Sequence, residues 1–204
     1  MLCFVECKKR SAYKKNYTME DRDIIELFWH RNEDAIYETD TKYHSILFNI
    51  AYNILMSRQD CEEVLNDVYF KVWNIIPPYR PLHLGPFLIK ITRELSIDCL
   101  RSSRRQKRIP HEICVPIEEL EEIISGKDTP EEIFSASQLS EAINTFLQGI
   151  KAEDRRLFVH RYIFAESIFA ISQKYGMNEA RVKTKLYRVR QKLKNYLKKE
   201  GFDL

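Results

Sequence analysis

The sequence predicts an all-α fold: two small helical domains joined by an acidic flexible linker, the C-terminal one a helix-turn-helix. Apolar residues recur at steps of three and four through most of the 204 residues, the spacing of one buried helix face. No stretch alternates apolar and polar residues as a half-buried strand would. Between residues 109 and 136 the pattern lapses into Pro110, Pro116, Gly126 and a run of acids, which divides the chain. The length suits one domain or two small ones, at roughly 100–200 residues each. An apolar content of 44% is enough to fill their cores.

Residues 1–18 read as a basic tail, expected to be disordered, carrying Lys8, Lys9, Arg10, Lys14 and Lys15. Met19-Glu-Asp-Arg22 offers an alternative start, and Met1-Leu-Cys-Phe-Val-Glu6 is too short and too soon charged for a signal peptide. Ile24, Leu27 and Phe28 open an amphipathic segment; Leu47, Ile50, Ala51, Ile54 and Leu55 mark a second. Asp60 and Glu63 have capping-box spacing, followed by the stripe Val64, Leu65, Val68, Tyr69, Val72 and Trp73. Pro77, Pro78, Pro81 and Pro86 fall within ten residues, which forbids helix and predicts a rigid loop. A helix is expected from near Phe87, through Leu88, Ile91 and Leu95, into the cluster Arg101, Arg104, Arg105, Lys107 and Arg108.

The first domain so defined spans 19–108 and the linker 109–136. Thr129-Pro-Glu-Glu132 is a helix start, with a hydroxyl cap and a proline in the first turn. The second domain, 137–204, begins with a helix carrying Leu139, Ala142, Ile143, Phe146 and Leu147 and ending at Gly149. A further helical segment runs from Asp154 to Phe164.

Enzymatic function is not expected. Five glycines, Gly85, Gly126, Gly149, Gly176 and Gly201, stand alone, whereas a phosphate-cradling loop packs several into a few residues. There is no His-Glu-x-x-His, Gly-x-Ser-x-Gly or Asp-rich calcium loop, so neither metal nor cofactor is expected. Cys3, Cys7, Cys61, Cys99 and Cys114 form no Cys-x-x-Cys pair, and without an export signal reduced thiols are expected. No run of 18 apolar residues exists to span a bilayer, and the expected location is cytoplasmic.

Charge is where the sequence speaks. Lys+Arg number 33 against Asp+Glu 30, a net +3, but the signs are segregated. Arg101–Arg108 is acid-free, Glu112–Glu132 is acidic, and Arg181–Lys199 carries nine basic residues and no acid. Two basic segments separated by an acidic one suit two contacts with a polyanion, against the plainer reading of solvated helix faces.

Ser167–Leu197 is the most informative stretch. Ser167 can cap a short helix with Ile168, Ile171 and Tyr175 inward; Gly176 suits a left-handed turn; Asn178 caps the next helix. That helix buries Val182, Leu186, Val189, Leu193 and Leu197 at steps of three or four. Its first turns present Asn178, Glu179, Arg181, Lys183 and Thr184 to base edges, with later residues on phosphates.

Taken together, the segments resemble a bacterial RNA polymerase sigma factor of the extracytoplasmic-function (ECF) type in the sigma-70-like family. Ala51-Tyr-Asn-Ile-Leu-Met-Ser-Arg-Gln-Asp-Cys-Glu-Glu-Val-Leu-Asn-Asp-Val-Tyr-Phe-Lys-Val-Trp73 is similar to the polymerase-binding helices of region two, and Phe87–Asp98 with Arg101 to its promoter-melting helix. Asp154–Tyr162 and Val182–Arg190 are similar to region four. The resemblance implies polymerase binding by Glu62, Glu63, Asn66, Asp67, Phe70 and Trp73. It implies −10 promoter contacts by Tyr79, Arg80, His83 and Leu84 in the proline-rich loop, with Lys90, Arg93, Glu94, Asp98 and Arg101 on the helix after it. It implies −35 contacts by Asn178, Glu179, Arg181, Lys183, Thr184, Tyr187, Arg188 and Arg190. Core RNA polymerase, promoter DNA and an anti-sigma factor are the implied partners, with a free protein that is monomeric. Departures from the family pattern are Phe87 for Trp, Glu94 for Asn, Asn66 for Gln, Ala170 for Glu and Lys151 for Pro. The alternative is a helix-turn-helix regulator acting as a dimer through the Glu62–Trp73 face.

Overall fold

The computed structural model describes residues 19–107 and 132–202. The expected tail, Cys3, Cys7, Cys114, the linker as far as residue 131 and the cap at Thr129 lie outside them. The chain divides into two compact units, Met1–Arg108 and Ile109–Leu204. Every described element is helical and no strand occurs among the described residues. No described helix is long and apolar enough to cross a membrane.

The first unit contains α1 (Asp21–Trp29), α2 (Asp34–Leu55), α3 (Arg58–Ile75) and α4 (Leu84–Lys107). Helices α2, α3 and α4 pack against one another, and α1 lies on α2 and α4. Their stripes meet in one core, built from Ile24 and Phe28 of α1, Leu47 and Ala51 of α2, Val64, Leu65, Val68 and Val72 of α3, and Leu88 and Ile91 of α4. Burying each such side chain contributes about 1.5–3 kcal/mol.

Polar groups fix the register. Asp21 at the start of α1 accepts from Lys42 Nζ at 2.7 Å and from the Tyr43 hydroxyl, and Tyr69 OH donates to Asp40 at 2.8 Å. Burial and the neighbouring Asp40 push the Tyr69 phenol well above its ordinary range, so it stays a proton donor.

Two expectations are corrected here. The cap of α3 is Ser57, whose Oγ accepts from Asp60 N at 3.4 Å; α3 thus begins at Arg58, and Asp60 lies inside its first turn. The proline loop is also shorter than expected. Helix α4 starts at Leu84, so Pro86 sits in its first turn, where a missing N–H costs nothing. The loop proper is residues 76–83.

The second unit contains α5 (Glu132–Gly149), α6 (Ala152–Phe158) with a π-helical continuation Val159–Ile163, α7 (Ile168–Tyr175) and α8 (Glu179–Lys199). The segment expected from Asp154 to Phe164 is therefore two elements, and α5 already begins inside the stretch read as linker. Helix α8 is central, packing on α5, α6 and α7. Its stripe Val182, Leu186, Val189, Leu193 and Leu197 is buried to within 1% against Phe146, Leu157, Phe158 and Ile171.

Both helices of the turn carry the caps their sequence calls for. Ser167 Oγ accepts from Ala170 N at 3.1 Å and Asn178 Oδ1 from Arg181 N at 2.8 Å. Gly176 adopts φ +60°, which a side chain would strain, and lets the chain reverse between α7 and α8.

Candidate functional site

Three surfaces carry the candidate residues. On α3, Glu62, Glu63, Asn66 and Asp67 are all exposed, because the same helix turns Cys61, Val64, Leu65 and Val68 into the core. No cation pairs with Glu62, Glu63 or Asp67 among the described residues. Phe70, one turn on, is 67% exposed, a large ring left in water. Acids around an exposed aromatic are the chemistry that would suit a basic partner surface.

Trp73 stands apart from that cluster. It is half-buried, edge-on to Phe28 at 6.2 Å, with the Arg31 guanidinium 5.3 Å over its ring. Arg31 Nη1 also donates to the Trp73 carbonyl. Phe70, not Trp73, is the residue whose ring is presented.

In the proline loop, Ile76 and Pro81 face inward and Tyr79, Arg80, Leu82 and His83 outward. Leu84 is corrected: it is fully buried at the start of α4 and cannot meet a base. The outward leucine is Leu82, 94% exposed, which sequence reasoning misses because proline spacing carries no period from which to read a side chain's direction. Tyr79 leans on Phe87 with ring centroids 5.6 Å apart. Arg80 is not a loose cation: its Nη2 meets Glu26 Oε2 at 2.7 Å and its guanidinium lies 4.8 Å over the Trp29 ring.

Along α4, Lys90, Glu94, Asp98 and Arg101 are exposed. Glu94 stands 3.4 Å from Lys71 of α3 and 3.9 Å from Lys90, so its charge is partly answered within the unit. Arg93 is half-buried with Nε sealed from water and without a partner; burial lowers its pKa, and it is a poor candidate for a surface phosphate.

On α8, Glu179, Arg181, Lys183, Thr184, Tyr187 and Arg188 are exposed. Asn178 is exposed too, but its side-chain oxygen serves the cap. Arg190 is corrected: it is half-buried and its Nη1 donates to Tyr162 OH at 2.7 Å, which ties α8 to the π-helical turn. Thr184 Oγ1 donates to the Ala180 carbonyl at 2.8 Å.

Lys185 reaches back to Glu153 at 2.8 Å and Asp154 at 3.3 Å, contacts that hold its pKa above the ordinary value. These residues, with Lys151, Arg181, Arg188 and Lys192, line an open cleft of about 500 Å³ beside α8. Gln191 and Asn195 are exposed on the same side as Thr184 and Arg188. They were legible as i+7 and i+11 from Thr184 but carry no charge to draw the eye.

Residues 40–106 match the family described as Sigma-70 region 2. The ECF RNA polymerase sigma factor SigE of Mycolicibacterium smegmatis (strain ATCC 700084 / mc(2)155) is 26% identical over 155 residues, which are 76% of this chain and 58% of that protein. The chain thus spans little more than half the length of that relative. The RNA polymerase sigma-H factor of Bacillus licheniformis is 23% identical over 206 residues, covering 93% of this chain and 92% of that protein. A solved structure of CnrH in complex with the cytosolic domain of CnrY aligns over 87% of this chain and 97% of that one, at 16% identity and a TM-score of 0.41. The region 2 match takes in all of α3 and most of α2 and α4, and the curated relatives the chain resembles are RNA polymerase sigma factors, one of them of the ECF type.

Proposed function

We propose that this protein binds core RNA polymerase, recognises promoter DNA at two elements and helps open it, without catalysing a reaction itself. The observation that carries the reading is the division of labour between two helices, the acidic face of α3 and the basic face of α8. Glu62, Glu63, Asn66, Asp67 and Phe70 dock on polymerase. Tyr79, Leu82 and His83, backed by Lys90 and Arg101, meet the −10 strand as bases leave the stack. Arg181, Lys183, Thr184, Tyr187 and Arg188 enter the major groove at −35. Residues 19–108 serve polymerase and −10, residues 137–204 serve −35, and the linker lets each reach its target.

The same reading includes a cytoplasmic location, a monomeric free protein and an anti-sigma factor that covers these faces. A dimeric helix-turn-helix regulator is not favoured, because residues 40–106 match region 2 and a regulator has no use for that helix set. In vitro transcription with heterologous core polymerase on a promoter library tests the proposal. Selective initiation from a recurrent two-block sequence is expected; a folded protein that leaves core polymerase unchanged and elutes as a dimer defeats it.

A further inference from the structure

Helix α1 and the turn after it touch both the last turn of α3 and the middle of the proline loop. At the first contact Arg31, in the turn after α1, donates to the Trp73 carbonyl and covers the Trp73 ring. At the second Arg80 is clamped between Glu26 and Trp29 of α1, with 54 residues of sequence separating the ion pair. Glu26 and Trp29 lie at i and i+3, so they share a face of α1. The opposite face is sunk in the core through Ile24, Ile25 and Phe28, which makes α1 a fixed support. Inside the loop Ile76 and Pro81 are buried, and Arg80 between them is tied to α1. Besides Arg80, the exposed loop residues are Pro78, Tyr79, Leu82 and His83, of which the last three carry side chains suited to stacking on a base. Helix α1 lies outside the region 2 match, which begins at residue 40.

We infer that α1 is a strut for promoter opening: Glu26 and Trp29 act through Arg80 as positioning residues that hold Tyr79, Leu82 and His83 in the geometry that captures unstacked bases. Arg80 then serves as an internal tether and does not neutralise a phosphate. The inference rests on the proposed −10 role of the loop. Physically, base capture costs a few kcal/mol of unstacking, and a loop free to move would add its own ordering cost to each opening event. An exposed ion pair and an exposed cation–π contact are each modest, so the expected effects are modest too.

The test uses full-length protein with core polymerase on a promoter duplex that the wild type opens, read by 2-aminopurine fluorescence in the −10 segment. Glu26→Gln and Trp29→Leu each lower the yield of open complex about two- to fivefold, and the double variant about tenfold. Core affinity and the salt slope of DNA binding are unchanged, because no polymerase or DNA contact is removed, and thermal unfolding shifts only slightly. Arg80→Gln behaves like the double variant, with the same unchanged salt slope. The exchange Glu26→Arg with Arg80→Glu restores part of the opening. A salt slope that falls by about one in Arg80→Gln, while Glu26→Gln opens normally, would put Arg80 on a phosphate and overturn the strut. Loss of opening in Tyr79→Ala with full opening in Glu26→Gln and Trp29→Leu overturns it while leaving the −10 role intact. A wild type that binds core polymerase and opens no promoter in a library removes the reading beneath it, and the strut with it.

Discussion

Helices α3 and α8 are built alike and face outward with opposite charge. Each buries one apolar stripe, Val64, Leu65, Val68 and Val72 in α3, and Val182, Leu186, Val189 and Leu193 in α8. Each starts at a side-chain cap, Ser57 or Asn178. Outward, α3 shows Glu62, Glu63 and Asp67 with Phe70, and α8 shows Arg181, Lys183 and Arg188 with Tyr187. The buried stripe therefore sets where a helix sits in its bundle, and the exposed side sets what it meets. The two also differ in how much charge is spent at home. On α8, Lys185 and Arg190 are engaged by Glu153, Asp154 and Tyr162, whereas no cation answers the three acids of α3 among the described residues.

The largest expected effect ignores this difference. Leu65→Ala and Leu193→Ala each remove a side chain at most 1% exposed, and each destabilises its own unit by about 2–5 kcal/mol in chemical denaturation. A cost under 1 kcal/mol in either would mean that its stripe does not carry the core.

Charge reversal should separate the helices. Glu63→Arg with Asp67→Arg lowers core polymerase affinity at least tenfold, since like charges juxtaposed across an interface cost several kcal/mol. DNA binding by the rest of the chain is unaffected. Arg181→Gln with Arg188→Gln does the reverse: it weakens DNA binding, through the base-edge contact of Arg181 and, with a salt slope lower by about one, the phosphate contact of Arg188. If either pair moved both activities together, the division between α3 and α8 would be wrong.

The caps give a smaller, matched effect. Ser57→Ala and Asn178→Ala each cost about 1 kcal/mol in thermal unfolding. Equal losses support equal architecture; a much greater loss of DNA affinity than of stability in Asn178→Ala would mean that the side chain also touches a base.

Lys185→Gln gives the smallest effect, a few tenths to about 1 kcal/mol of stability from a partly exposed pair. Its salt slope on DNA should stay unchanged. A drop of one would place Lys185 on a phosphate and Glu153 and Asp154 as its competitors.

The bundles themselves were legible from local rules. Period-3.6 stripes placed α2, α3 and α8, because a buried face must repeat at the pitch of the helix whatever it packs against. Ser167, Gly176 and Asn178 announced the α7–α8 corner, since capping and a left-handed turn are met by the residue itself and its immediate backbone. The opposed charges of α3 and α8 were likewise readable, because exposed charge needs no partner to exist.

What the sequence leaves open is whatever depends on a neighbour far along the chain. Leu84 and Leu82 are alike in sequence, and only the packing of α4 buried one and left the other in water. Arg80 and Arg190 read in the sequence simply as cations, and the fold sets Glu26, Trp29 and Tyr162 beside them across 28 to 54 residues. Trp73 continued the α3 stripe, and whether its ring faced a partner or Phe28 and Arg31 was decided by where α1 came to rest. Composition and periodicity settle which residues leave water; which charges remain available outside is settled by contacts between helices, and those exist only once the chain has folded.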